Sequence, residues 1–250
     1  MTALALPTRR AEDWRYSDVE AVASVWPVPA PERIVLVAGE EGAHKLLQDA
    51  SPDAIVVRDY VIELAEGARL DFHLLNTGGR LGRVTFDVRL RQGAHFALHA
   101  ALIGGGEQTL EVVTTVTHAE RDATSEQVIR AIMGDKATGN VLGQIAVEKG
   151  AQGTDASQSV KAMLLSRTAS VNAKPELEIF ADDVQCAHGC AIGELDNQAL
   201  FYMASRGLDP QTAQTLLLRA FVAGVFDGIS EEAERERFEA AALAKLEGLA

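Results

Sequence analysis

Between residues 33 and 180, short apolar runs alternate with polar positions and are punctuated by Gly, Asp or Pro. The runs at 34–37, 54–57, 84–88 and 110–113 are β-branched and bounded by turn formers, the pattern of strands. Two pieces recur. Residues 67–73 (GARLDFH) return 26 residues later as 93–99 (GAHFALH), and 127–132 (QVIRAI) returns 31 residues later as 158–163 (QSVKAM). Periods of about 20–50 residues in β-rich sequence suit stacked coils that bury their apolar sides on one another. The copies are few and degenerate, so periodicity alone leaves a β-solenoid and a sandwich both open.

The pattern turns helical at both ends. Trp14, Tyr16, Val19, Val22 and Val25 predict an entry helix anchored by Trp14 and stopped at Trp26-Pro27. Beyond residue 195, Leu200, Phe201 and Met203 followed by Gly207 predict a short helix. Asp209-Pro210 reads as N-cap and first-turn proline of a second helix, whose apolar stripe would be Ala213, Leu216, Leu217, Ala220, Phe221 and Val225. Ser230 with Glu231 and Glu232 would open a third, burying Phe238, Ala241, Ala242, Leu246 and Leu249. Such helices would cap the open end of a stacked sheet, or dock a partner.

Charge narrows the partners. The 250 residues carry a net charge of -13, which argues against nucleic acid and against an anionic membrane surface. No apolar run reaches the ~20 residues of a membrane span, and the start MTALALPTRR lacks the makeup of an export signal. Two cysteines make no disulfide framework, so a reducing, cytoplasmic setting is expected.

Nucleotide chemistry is excluded by its missing parts. Gly104-Gly105-Gly106 is followed by Glu107 rather than Lys-Ser/Thr, so it reads as a turn. Asp182-Asp183 also reads as a turn, because neighbours on a strand face opposite ways. His44 and His118 sit among polar neighbours in sequence, and His73 and His99 occupy equivalent places in the repeat. Cys186, His188 and Cys190 differ: spaced two apart, they share one face of an extended strand. Two thiols and an imidazole suit zinc, copper or an iron–sulfur centre, although a closed site needs a fourth donor. The alternative is two small buried hydrophobes beside a hydrogen-bonded histidine.

Residues 174–207, KPELEIFADDVQCAHGCAIGELDNQALFYMASRG, resemble the signature of the SufD branch of the SufB/SufD family, from the SUF iron–sulfur cluster assembly system. Residues 149–156 (KGAQGTDA), 164–166 (LLS), Leu216-Leu217 and Ala220-Phe221 extend the match, and DWRYSD at 13–18 is similar to the family's N-terminal element. The resemblance implies a mainly β fold: a right-handed parallel β-helix core (32–195) between a short N-terminal helical segment (1–31) and a C-terminal helical domain (196–250). It implies a non-catalytic scaffold that pairs with a SufB-like subunit, or with itself when alone. A SufC-like ATPase would dock on the helical segment, here through Leu200, Phe201, Tyr202, Arg206, Leu217 and Phe221. A transient iron–sulfur cluster, or iron shared with the partner subunit, would sit at the interface, with none held by the isolated chain. The family's cysteine and histidine map onto Cys186 and His188. Ala187, Cys190 and Ala191 depart from its usual Ser, Ala and Thr, so Cys190 is an extra thiol that only spacing supports as a metal ligand. The competing expectation is a stand-alone metal-binding protein or metalloenzyme using the Cys-x-His-x-Cys face.

Overall fold

The structure is a computed structural model and describes residues 5–249. Twelve strands, β1 (Glu32–Leu36), β2 (Glu41–Gln48), β3 (Ile55–Leu64), β4 (Arg69–Asn76), β5 (Leu81–Leu90), β6 (His95–Gly104), β7 (Thr109–His118), β8 (Thr124–Met133), β9 (Thr138–Val147), β10 (Thr154–Leu164), β11 (Ser170–Ile179) and β12 (Val184–Glu194), form two parallel sheets. Odd strands stack in the order β1-β3-β5-β7-β9-β11, even strands in the order β12-β10-β8-β6-β4-β2. Each coil contributes one strand to each sheet, giving a solenoid of six turns. The repeats seen in sequence are neighbouring rungs: Leu70 pairs with Phe96 and Gln127 with Gln158. Gly67 and Gly93 turn equivalent corners with φ of 65° and 62°, where a Cβ would be strained.

Alternation divides each strand between an interior and an outer face. The interior is aromatic in the early coils, where Tyr60, Phe72 and Phe86 stack and His44 lies 4.6 Å from Phe72. It becomes small and polar in the later ones, which bury Thr114, Ser125, Gln127 and Gln158. His44 therefore lies among aromatic rings rather than in the polar surroundings its sequence neighbours suggest, whereas His118 keeps a polar partner inside the solenoid. His118 is fully buried, its Nε2 is 3.0 Å from Ser125 Oγ, and burial pushes its pKa down to about 4.

The outer faces are covered by the two chain ends. The N-terminal part is less helical than its pattern predicts: one 3₁₀ turn (Glu12–Trp14) and a five-residue helix α1 (Val19–Ala23). Asp18 caps α1 by accepting from Ala21 N, and Ser17 before it is spent on a tertiary contact, which separates the two pieces. This strap lies on the odd-strand sheet, where Arg83, Glu111 and Asn140 are register partners. Arg83 Nη1 donates to Glu111 Oε2 at 2.6 Å, Ser17 Oγ donates to the same oxygen, and Asn140 Nδ2 donates to Glu111 Oε1 and to Tyr16 O. Arg83 also donates to Asp13 O and lies 3.9 Å from the centre of the Trp14 ring.

The C-terminal helices are α2 (Asn197–Ser205), α3 (Pro210–Val222) and α4 (Glu232–Glu247). Asp209 caps α3 as its sequence predicts. The N-cap of α4 is Glu231 rather than Ser230, whose hydroxyl donates to the Glu231 carboxylate. Two of them, α3 and α4, do not close an end of the solenoid but lie along the even-strand sheet, where Leu75, Ala101, Ile103 and Ile132 pack against Leu218, Val222, Phe226, Phe238 and Leu246. The buried stripe of α3 is partly turned from the expected one: Ala213 and Val225 are buried as expected, but Leu218 and Val222 are covered as well, Leu216 and Ala220 are exposed, and Leu217 and Phe221 are half-buried. No described helix is long and apolar enough to cross a membrane.

Candidate functional site

The solenoid ends in a mouth built by β11 and β12. Cys186 packs among interior residues Ile145, Val147 and Ala156, which sets the inward parity of β12. His188 and Cys190, two and four residues on, face the same way in register with Gln158 and Val160, yet both are exposed because no further coil covers them. The predicted face therefore exists, as a row of three side chains on the last rung. A rise of about 3.3 Å per residue puts neighbours in the row ~6.6 Å apart and its ends ~13 Å apart. Zinc and similar ions bind at ~2.0–2.3 Å, so the row alone does not wrap one ion. Among the described residues, no group of three or more His, Cys, Asp and Glu is placed to hold a metal.

Burial pushes the Cys186 thiol up, and the nearby Asp155 carboxylate adds to this. Cys190 is free and exposed. In a parallel ladder, each residue turns its N–H and C=O to the same neighbour. Gly153 N donates to Asp183 O, so odd residues of β12 face β10 and the backbone of Cys186, His188 and Cys190 faces the open edge. The β11 edge differs. Ser170 N and Phe180 N bond toward β9, which leaves Pro175 on the open side with no N–H to offer. Exposed Ile179, Phe180 and Ile192 rim the mouth. Chemically this end offers thiol and imidazole donors, an unpaired strand edge and an apolar rim, with space for a second body to supply what the row lacks.

The helical residues singled out in sequence lie elsewhere, on the flank. Phe201 and Tyr202 are 77% and 58% exposed on α2, a helix with no buried residue, and Arg206 lies over the Tyr202 ring. Leu200, Leu217 and Phe221 are half-buried. The structure thus separates two groups, donors at the mouth and an apolar helix face on the side. Sequence reasoning missed the buried polar side chains behind the mouth, Thr114, Gln127 and Gln158. The repeated Gln opening QVIRAI and QSVKAM was their signal, since these are register partners.

Residues 33–221 match the family described as SUF system FeS cluster assembly, SufBD core domain. The chain belongs to that family, as a SufD-type member built on a parallel β-solenoid. It is 29% identical to the iron-sulfur cluster assembly protein SufD of Escherichia coli (strain K12), over 70% of this chain and 41% of that one. It is 30% identical to the chloroplastic protein ABCI7 of Arabidopsis thaliana, over 81% of this chain and 43% of the relative. The SufBD family protein slr0076 of Synechocystis is 32% identical over 66% of this chain and 37% of its own length. The chain spans about two-fifths of the length of these relatives.

Proposed function

We propose that the chain is a non-catalytic scaffold subunit of an iron–sulfur cluster assembly complex, joined to a SufB-like solenoid at its mouth. The observation that carries this reading is the uncovered last rung: inward-facing Cys186, His188 and Cys190 stand beside an unpaired strand edge, and α3 and α4, which might have capped it, lie on the flank. A second solenoid seated there supplies the missing donors and pairs the edge of β12. The nascent cluster is the cargo of this joint, with Cys186 and His188 as this chain's donors and Cys190 as the weaker third. The exposed face of α2 and α3, through Leu200, Phe201, Tyr202, Arg206, Leu217 and Phe221, takes a SufC-like ATPase. A homodimer through the same mouth is the form expected of the chain alone.

Anaerobic affinity capture of the tagged chain from its own cells tests this, with partner identification, ATPase activity and iron measured in one fraction. A co-purifying ATPase and a second solenoid support the reading, and His188→Ala should then lose iron while keeping both partners. A lone chain with stoichiometric metal overturns it in favour of a stand-alone metalloprotein.

A further inference from the structure

The C-terminal end of α4 meets a corner of the coils at one side chain, Gln108. Its Nε2 donates to the carbonyls of Thr77 and Gly79, at 3.3 and 2.8 Å, which turns Oε1 toward Gly105 N and the Lys245 ammonium. Lys245 Nζ donates to that oxygen at 2.7 Å. The contact borders a recess of about 490 Å³, which Lys245 lines together with Asp53, Arg80, Glu107 and Asp135.

This setting separates Lys245 from the other lysines. The chain has six. Lys45, Lys136 and Lys174 pair with glutamates, and Lys149 and Lys161 are exposed to water. Lys245 is half-buried, and its partner is a neutral amide. The charged groups around the recess are engaged elsewhere: Arg80 pairs with Asp18, Glu107 pairs with Lys136, and the Asp135 carboxylate accepts from Gly106 N. Asp49 favours the ammonium from a distance, but burial outweighs it and pushes the Lys245 pKa down. A desolvated ammonium that gains only an amide is less favoured than one paired with a carboxylate, so the uncharged amine is more accessible here than at the other lysines.

We propose that Lys245 is an acylation site, modified through the recess by small uncharged acyl thioesters. Nζ attacks the acyl carbonyl carbon, a C–N bond replaces the C–S bond, and the sulfur leaves as a thiol with the proton that the nitrogen gives up. An uncharged donor suits a lining in which Arg80 and Lys245 stand against Asp53, Glu107 and Asp135. The product exchanges a half-buried cation for an amide, whose N–H can still serve Gln108 Oε1.

The test treats the folded chain with a limiting amount of the acetyl thioester of N-acetylcysteamine. Thiol-bound acetyl is removed with hydroxylamine, and peptide mass spectrometry reads each lysine, with Lys245→Arg confirming the assignment. At pH ~7.5, Lys245 should be acetylated several-fold faster than exposed Lys149 and Lys161. The pH profile separates chemistry from access. A lowered pKa enlarges the neutral fraction of Lys245 most where ordinary lysines are still charged, so its rate relative to Lys149 and Lys161 should be highest near pH ~7.5 and fall toward pH ~10.5. Access alone leaves that ratio flat. Denaturing urea should abolish the preference. Lys245 reacting no faster than the exposed lysines, a ratio that does not fall with pH, or a preference that survives in urea overturns the proposal.

Discussion

The two flanks of the solenoid are covered in different ways. On the odd-strand sheet, the N-terminal strap packs Ala21 and Val22 on Val57 and Leu81 and is fixed by buried polar groups as well: the Arg83–Glu111 pair, Ser17, Asn140 and two backbone carbonyls. On the even-strand sheet, α3 and α4 are seated through Leu218, Val222, Phe226, Phe238 and Leu246. Directional contacts fix one position, because a shift of one residue leaves charges buried and unpaired. Apolar contacts hold as firmly but tolerate sliding, since their attraction follows area. The flank that α3 and α4 cover is held mainly by apolar contacts, with His73 to Val225 O, Lys45 to Glu231 and Lys245 to Gln108 as its polar ties.

The largest effect is expected from breaking the ionic network on one side only. Glu111→Ala leaves Arg83 buried without its partner and should destabilise the chain by about 3–5 kcal/mol in urea unfolding. The double replacement Arg83→Met with Glu111→Leu should recover most of that stability but leave the strap less uniquely seated, read as faster proteolysis before residue 30. If the double variant protects the strap as well as the wild type, polar contacts do not specify its position.

On the opposite flank, Phe226→Ala removes a fully buried ring that lies 5.6 Å from Phe238. A loss of about 3 kcal/mol is expected, at the low end for such truncations because a sliding interface can partly close the gap. Protease cleavage should appear first in α3 and α4, with the strap untouched. Equal loosening of both flanks would show that the two covers are coupled through the sheets.

Acid should separate the flanks next. His73 is buried under the C-terminal segment, with Nδ1 3.1 Å from Val225 O, and burial lowers its pKa while Lys45 and stacked His99 face it and Asp71 opposes them. The folded state therefore binds fewer protons at this site than the unfolded chain does. Its stability is fully present above the unfolded value of about 6.5 and is lost as pH falls below it. The midpoint of urea unfolding should fall between pH 7 and 5.5, and His73→Asn should reduce that slope. An unchanged slope would place the acid response elsewhere, first in buried His118.

How far this was legible in sequence differs by region for a physical reason. Coils are local, so the 26- and 31-residue spacings point to stacked β units, although they leave a solenoid and a sandwich both open, and Asp209-Pro210 marks α3 because caps are local too. The covers are not local. Nothing near Ser17 in the chain announces Glu111, and α3 carries enough apolar residues for two stripes, so only the sheet decides that Leu218 and Val222 are buried while Leu216 is exposed. At the mouth, alternation alone gave the shared face of Cys186, His188 and Cys190. Their exposure depends on where stacking stops.

The smallest effect sharpens the polar side of the comparison. Arg83 has two kinds of partner in the strap: the carbonyl of Asp13, accepting at 2.8 Å, and the face of Trp14. Trp14→Phe keeps an aromatic face but one with a weaker attraction for a cation, so the loss should stay under about 1 kcal/mol. Protease resistance before residue 30 should be nearly unchanged, because Ser17, Asn140 and Asp13 still hold the segment through bonds that do not involve the ring. A loss as large as that of Glu111→Ala would mean that the strap is held by stacking. The contrast between a directional cover and an apolar one would then dissolve, since both flanks would depend on burying aromatic surface.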